Sequence, residues 1–224
     1  MTNISVIIRT RNEERWIGHA IQSVLNHLPN SEIIIVDNKS NDETINIVRH
    51  FIRDPNLEST DENKYTNIEI TQIEDYTPGK ALNFGIKKAS NETCIILSAH
   101  CVINKIDISK HINDLNNYVA IFGNQIPVWN GKKITKRYIW SHFIDEEKVN
   151  MYSQLENRYF LHNAVAMYKK SFLLNNPFDE NLLTKEDRYW AKQIINKNHN
   201  ILYDPELEVS HHYTINGNTW KGLA

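Results

Sequence analysis

The chain has 224 residues, a formal net charge of −2 at pH 7 and a pI of about 6.6, with basic and acidic residues interspersed. Its length suits one domain of ordinary size that buries a substantial core, and its charge balance argues against a nucleic-acid partner, which calls for a basic face. Cys94 and Cys101 are too few for a disulfide framework; with no cationic, apolar leader and no run of membrane-spanning length, the expectation is a soluble protein in a reducing, cytoplasmic setting.

Ile4-Ser5-Val6-Ile7-Ile8 is a nearly unbroken apolar run that ends in the polar loop Arg9-Thr10-Arg11-Asn12-Glu13-Glu14. Such a run suits a strand covered on both faces, as in parallel sheets. Residues 13–28 place Trp16, Ile17, Ala20, Ile21, Val24, Leu25 and Leu28 at helical spacing, and Pro29-Asn30 closes the helix. Glu32-Ile33-Ile34-Ile35-Val36 repeats the strand pattern and breaks into Asp37-Asn38-Lys39-Ser40-Asn41-Asp42. A helix over 44–53 follows, with Asn41-Asp42 as caps, then a polar surface loop over 54–67 and an alternating strand over 68–73. Tyr76-Thr77-Pro78-Gly79 turns into a helix over 80–89, and Cys94-Ile95-Ile96-Leu97 is a short buried strand with Ser98-Ala99-His100-Cys101 at its carboxyl end.

This alternation predicts an α/β protein with an open, mixed and mostly parallel sheet flanked by helices. Ligands of such sheets bind outside the carboxyl ends of the strands, so the polar loops propose a small-molecule site. The second half is less regular. Val119 to Gly123 and Phe160 to Tyr168 read as strands, Glu186 to Lys197 as a helix and Ile201 to His212 as a final strand. Between them, 133–152 is rich in aromatic and charged residues, among them Tyr138, Trp140, His142 and Phe143. No internal repeat or low-complexity stretch interrupts the chain.

Taken together, SVIIRTRNEE, EIIIVDNKSNDET, YTPGKALNFG, IILSAHC and LLTKEDRYWA resemble family 2 glycosyltransferases with the GT-A fold, from Ile4 to about Tyr213. The resemblance implies a single GT-A domain, with a Rossmann-like nucleotide-binding half over about 1–103 and an acceptor-side half over about 104–224. It places a nucleotide-sugar donor at Thr10, Asn12 and Asp37. A carboxylate such as Asp37 suits a base N–H or a ribose hydroxyl, while Asn38, Ser40 and Asp42 suit building the turn. Lys80 stands at a predicted helix start where N–H groups and a cation meet phosphate, and Asn83 lies one turn later; a solvated lysine is the alternative.

The main departure is Ser98-Ala99-His100, where the family carries Asp-x-Asp holding Mg²⁺ or Mn²⁺ on the diphosphate. Hard cations prefer oxygen, although imidazole serves Mn²⁺. With Ser98 and His100 in place of carboxylates, His100 ligates a metal, donates to the diphosphate directly, or is a structural histidine. The resemblance also implies a late histidine at the metal or diphosphate, here His211 or His212, of which strand alternation admits one. Inverting transfer needs a base to take the acceptor's proton. The resemblance makes that base Asp187, with Glu186 supporting the loop or acceptor; favourable acidic charge at a helix start is the alternative. Gln125, Asn163 and Trp190 are candidates for the acceptor side.

The expectation is therefore an inverting glycosyltransferase acting on a glycan or lipid-linked glycan, in bacterial capsule, lipopolysaccharide or other surface-polysaccharide synthesis. The 133–152 segment would cover the acceptor, join a homodimer, associate peripherally with the inner face of the cell membrane, or pack on the core. Two rivals stand beside this reading. A sugar nucleotidyltransferase calls for a glycine-rich phosphate loop that Arg9-Thr10-Arg11-Asn12 lacks. A non-catalytic nucleotide- or partner-binding relative is favoured by the missing Asp-x-Asp and opposed by Glu186-Asp187.

Overall fold

Two of the apolar runs form the parallel centre of a sheet that continues through the second half of the chain. The computed structural model describes residues 4–52, 67–136, 138–217 and 220. Its strands are β1 (Ile4–Thr10), β2 (Glu32–Asp37), β3 (Ile68–Gln72), β4 (Thr93–Ser98), β5 (Cys101–Lys105), β6 (Ala120–Trp129), β7 (Lys132–Lys133), β8 (Lys148–Val149), β9 (Tyr152–Ser153), β10 (Arg158–Tyr159), β11 (Val165–Lys169) and β12 (Ile201–His212). The main sheet runs β3-β2-β1-β4-β11-β6-β12-β5, with β7 on β6 and β8 on β12, while β9 and β10 make a small separate pair. β1 lies between β2 and β4, parallel to both, and β11 is antiparallel to β4 and β6. The sheet is thus mixed, with its parallel half first, as the sequence implies.

The helices are α1 (Ile17–His27), α2 (Thr44–Phe51), α3 (Pro78–Lys88), α4 (Ile108–Asp114), α5 (Lys170–Asn175) and α6 (Glu186–Asn196). They cover both faces, which explains why the central strands carry no polar alternation. Val6, Ile8, Ile33, Ile35, Ile95 and Leu97 pack with Ile17, Ile21 and Val24 of α1 and Val48 of α2. Their alternates Ile7, Ile34, Val36 and Ile96 pack with Leu82 and Ile86 of α3 and with Trp190 and Ile194 of α6. Each fully buried isoleucine contributes about 1.5–3 kcal/mol, so both layers hold the same strands. No helix among the described residues is long and apolar enough to cross a membrane.

Several elements differ from expectation for local reasons. The first helix starts at Ile17, not near residue 13, because Glu13 is held outside it: its N–H donates to Thr44 Oγ1 at 2.7 Å, and its carbonyl closes a turn with the N–H groups of Trp16 and Ile17. The strand expected over 160–168 reduces to β11, since 160–164 turn toward the site described below. Most of the 54–67 loop, and the end of the helix expected to reach 53, lie outside the described residues. In the 133–152 segment Trp140 and Phe143 are buried, and both belong to the core that includes Tyr203 and Trp220. Those two aromatics pack inward.

β12 is interrupted by a bulge. Its register on β6 steps from Asp204↔Gly123 to Glu208↔Asn124. A Cβ on Gly123 would sit 2.0 Å from the carbonyl oxygen of Leu207, so only glycine admits this close passage. Asp204 anchors the bulge from full burial. It accepts the N–H of Glu206 at 2.8 Å and pairs with His111 Nε2 at 3.0 Å and Lys110 Nζ at 2.5 Å. Burial alone would raise its pKa, but the bonds from His111, Lys110 and Glu206 outweigh it and hold the carboxyl well below the usual range. That stabilisation is complete above the unfolded-state value of about 4 and is lost as pH falls below it. Asp204→Ala should therefore lower unfolding free energy by about 3 kcal/mol at neutral pH. Urea denaturation should show the gap from wild type closing as the pH is taken below about 4.

Candidate active site

The carboxyl ends of β1 and β4, the end of β12 and the start of α6 enclose a cleft of about 860 Å³. This is where an α/β sheet presents its ligand site, and the volume is that of a small-molecule pocket. Besides Arg9 Nη1, which has an ion pair with Glu186, four buried polar atoms of lining residues have no hydrogen-bond partner among the described residues: Thr10 Oγ1, His162 Nε2, Asn163 Nδ2 and His211 Nε2. Buried polar groups are nearly always partnered, so their concentration here marks a polar ligand's place.

One end of the cleft is built of imidazoles. His100 follows β4, His211 lies near the end of β12, and their rings are 4.9 Å apart. His100 Nδ1 meets Glu13 Oε1 at 3.2 Å, and His211 Nδ1 meets Gln125 Oε1 at 2.8 Å. Both partners are oxygen acceptors, so the proton in each contact sits on Nδ1, which turns Nε2 toward the cavity. Carboxylate and amide oxygens behind metal-ligating histidines act in this way. Burial, then His100 and the other nearby histidines, push the pKa of His211 well below its usual value and keep it neutral. Cys101 completes a group whose ligand atoms lie within 4.8 Å of one another. Its thiol is pushed well up, first by burial and then by Glu13, so it stays protonated.

The other end is built of carboxylates on the first turn of α6. Glu186 Oε1 pairs with Arg9 Nη1 at 2.8 Å, tying α6 to the end of β1. Burial alone would weaken the charge on Arg9; the Glu186 carboxylate outweighs it and holds the guanidinium more firmly protonated than usual. Asp187 has no such partner among the described residues. Its side chain is 16% exposed and accepts the N–H of Arg188 at 2.8 Å. Burial and then the Glu186 charge push it up to about 7. His162 Nδ1 stands 3.9 Å away, beyond hydrogen-bond reach. Burial, then Arg158 and Arg188, keep that imidazole neutral, so the pair is not ionic.

Thr10, Asn12, Ser98, His100, Asn163, Glu186, Asp187 and His211 all line this cleft. Asn12 also clasps the first two loops: its Oδ1 accepts the N–H of Asn41 and its own N–H donates to Ser40 Oγ, each at 2.9 Å. Ser98 Oγ donates to the carbonyl of Asn163 at 3.2 Å. Other candidates are engaged outside the lining. Asp37 is 1% exposed and accepts from Ser40 Oγ at 2.6 Å and Ser40 N at 3.1 Å. Lys80 pairs with Asp75. Asn83 ties α3 to the chain before α6 through Phe178 and Glu180. Trp190 is core, its Nε1 donating to Asn176 at 2.7 Å. His212 stacks on Trp16 with ring centroids 4.0 Å apart, and Gln125 reaches the site through His211. Arg9, Glu13, His162 and Arg188 line the cleft without having been singled out in the sequence. Arg9 and Glu13 lay within a quoted motif, and a charged residue closing a fully apolar strand was the available signal.

Comparison with known proteins fits this geometry. Residues 5–175 match the family model described as "Glycosyl transferase family 2". The chain is 28% identical to a dolichyl N-acetyl-alpha-D-glucosaminyl phosphate 3-beta-D-2,3-diacetamido-2,3-dideoxy-beta-D-glucuronosyltransferase of Methanococcus voltae, over 96% of this chain and 68% of the relative. It is 25% identical to the O-antigen chain rhamnosyltransferase WbaN of Salmonella anatum, with the same two coverages, 96% and 68%. Among solved structures, S. aureus TarS 1–349 in complex with UDP-GlcNAc superposes with a TM-score of 0.70 at 20% identity, over 99% of this chain and 61% of that one. GalNAc-T7 with UDP, GalNAc and Mn²⁺ gives 0.71 at 15% identity, over 97% and 45%. The chain thus spans about two thirds or less of these relatives, and the structural likenesses establish the GT-A fold. With the family pattern matched over most of its length, on a sheet and cleft of the matching kind, the chain belongs to glycosyl transferase family 2.

Proposed function

We propose that the chain is an inverting glycosyltransferase that moves a sugar from a nucleotide diphosphate to a hydroxyl of a surface glycan or lipid-linked glycan. The observation that carries this reading is Asp187, a carboxylate without a cationic partner among the described residues at the mouth of α6, in one cleft with two imidazoles whose Nδ1 atoms meet oxygen acceptors. In the proposed reaction Asp187 accepts the proton of the acceptor hydroxyl as that oxygen bonds to the anomeric carbon and the bond to the diphosphate breaks. Glu186, neutralised by Arg9, positions the turn and leaves Asp187 as the carboxylate able to take up a proton. The relatives' activities, on a dolichyl phosphate-linked sugar and on O-antigen chains, support an acceptor of this kind.

A divalent cation would be held by His100 and His211, the two imidazoles whose Nδ1 atoms are engaged by oxygens. Mg²⁺ favours an all-oxygen octahedron, whereas imidazole nitrogen is a better match for Mn²⁺ than for Mg²⁺, and the neighbour GalNAc-T7 was solved with Mn²⁺. Bound there, the ion supplies positive charge to the leaving diphosphate. The chain's own residues orient the donor: Thr10 and Asn12 line its floor, and Asp37 holds the β2–α2 loop through Ser40.

Thermal shift with a panel of nucleoside diphosphates should show stabilisation by at least one of them, larger with Mn²⁺ than with Mg²⁺ and reduced by EDTA. His211→Ala should remove the Mn²⁺-dependent part and keep the rest. Stabilisation by no nucleotide sinks the reading. Asp187→Asn should lower kcat by about a hundredfold to ten-thousandfold with nucleotide affinity retained; retained turnover displaces it as base. Because the raised group must be ionised to accept a proton, kcat/KM should rise with pH and level off above about 7.

A further inference from the structure

Beside the main cleft lies a second cavity of about 470 Å³. Lys185 and Arg188 line both. Lys185, Arg188, Tyr189 and Lys192 recur three and four residues apart, which stacks them along one stripe of α6; Arg158 and Tyr159 of β10 face them across the cavity. Four cations line this space, and no carboxylate does. Arg158 is the central one. Its side chain is 11% exposed, Nε pairs with Glu156 at 2.6 Å, and the guanidinium lies 4.0 Å over the ring of Phe160. Its Nη1 and Nη2 are buried with no partner among the described residues.

We propose that this cavity is an oxyanion subsite for the acceptor, holding a phosphate ester or a carboxylate carried next to the hydroxyl that Asp187 deprotonates. A buried guanidinium with two NH₂ groups unpartnered among the described residues is costly unless an acceptor meets it, and a planar fork suits the paired oxygens of either group. Burial, opposed in part by the bond to Glu156, and repulsion from Arg188 both work against the charge on Arg158; an anion between the two cations relieves both. Tyr159 and the half-exposed Tyr189 offer ring faces to a sugar. Lys185 sits at the N-cap of α6 in the left-handed region, with φ 65°, a conformation that costs a residue with a Cβ about 1 kcal/mol or more. That turn carries Asp187 on its next step, so a group gripped here is placed beside the base. The histidine end is left to the donor diphosphate.

This inference rests on the transferase reading, and one NMR titration series separates the two. The full chain is titrated with methyl glucoside 6-phosphate, methyl glucuronide and neutral methyl glucoside, and separately with UDP. Both anionic probes should bind and shift the amides of α6 and β10, while the neutral glycoside should not. The tighter of the two anions identifies the source as phosphate ester or uronate. Arg158→Met and the exposed Lys192→Met should each weaken the anionic probe roughly tenfold with UDP affinity unchanged; Lys192→Met keeps the test valid if the first variant folds poorly. Equal binding of the neutral probe, or variants that bind the anions as wild type does, overturns the subsite. Nucleotide binding without anion binding rejects the subsite and spares the transferase reading; anion binding with no nucleoside diphosphate of the panel bound does the reverse.

Discussion

The site depends first on the ion pair between Arg9 and Glu186. Arg9 closes a strand buried on both faces, and Glu186 opens a helix whose other side is core, so the pair joins the two halves of the chain at one point. Without it, the first turn of α6 would bring two adjacent carboxylates into a poorly hydrated cleft, where like charges resist ionising together. Arg9 settles the division. Glu186 is fixed in its ion pair, and Asp187 is the carboxylate left near the threshold of protonation. Removing one partner of such a pair is far more damaging than the pair's net contribution to stability would indicate.

The cleft therefore has two ends with different chemistry. At the histidine end, Glu13 and Gln125 stand behind the rings and dictate which nitrogen faces the cavity. Trp140 and Trp220 wall His211 at ring distances of 6.0 and 6.1 Å and limit its hydration. At the carboxylate end the surroundings are cationic and open toward α6. In the proposed reaction, leaving-group charge and acceptor proton would fall to separate sets of residues that share only the space between them.

Much of the parallel half was legible from sequence, because burial on both faces removes polar alternation and leaves runs such as Glu32–Asp37 that nothing else in the chain imitates. The final strand, Ile201–His212, was equally plain. Side-chain partnerships were not. Asn83 looked like a donor contact one turn after Lys80, yet its amide is taken by Phe178 and Glu180, far along the chain. Glu13 sat inside what read as the first turn of a helix, and its meeting with His100 needs β1 and β4 to lie side by side. His162 was hidden in a segment apolar enough to pass for strand. Pattern reports which face a residue takes; it does not report who stands opposite.

The bulge in β12 has a consequence for the choice between adjacent histidines. Leu202 shares a core layer with Leu207 and Val209, residues an odd number of places away. The register step from Asp204↔Gly123 to Glu208↔Asn124 leaves Pro205, Glu206 and Leu207 unmatched, and an odd surplus exchanges the two faces of a strand. His211, rather than His212, is accordingly the ring that joins His100. The length of this detour acts as a phase setting. A shift by one residue would turn His212 inward and His211 toward Trp16, with no change in either side chain. In this chain, the number of residues between Asp204 and Glu208 decides which imidazole faces the cleft.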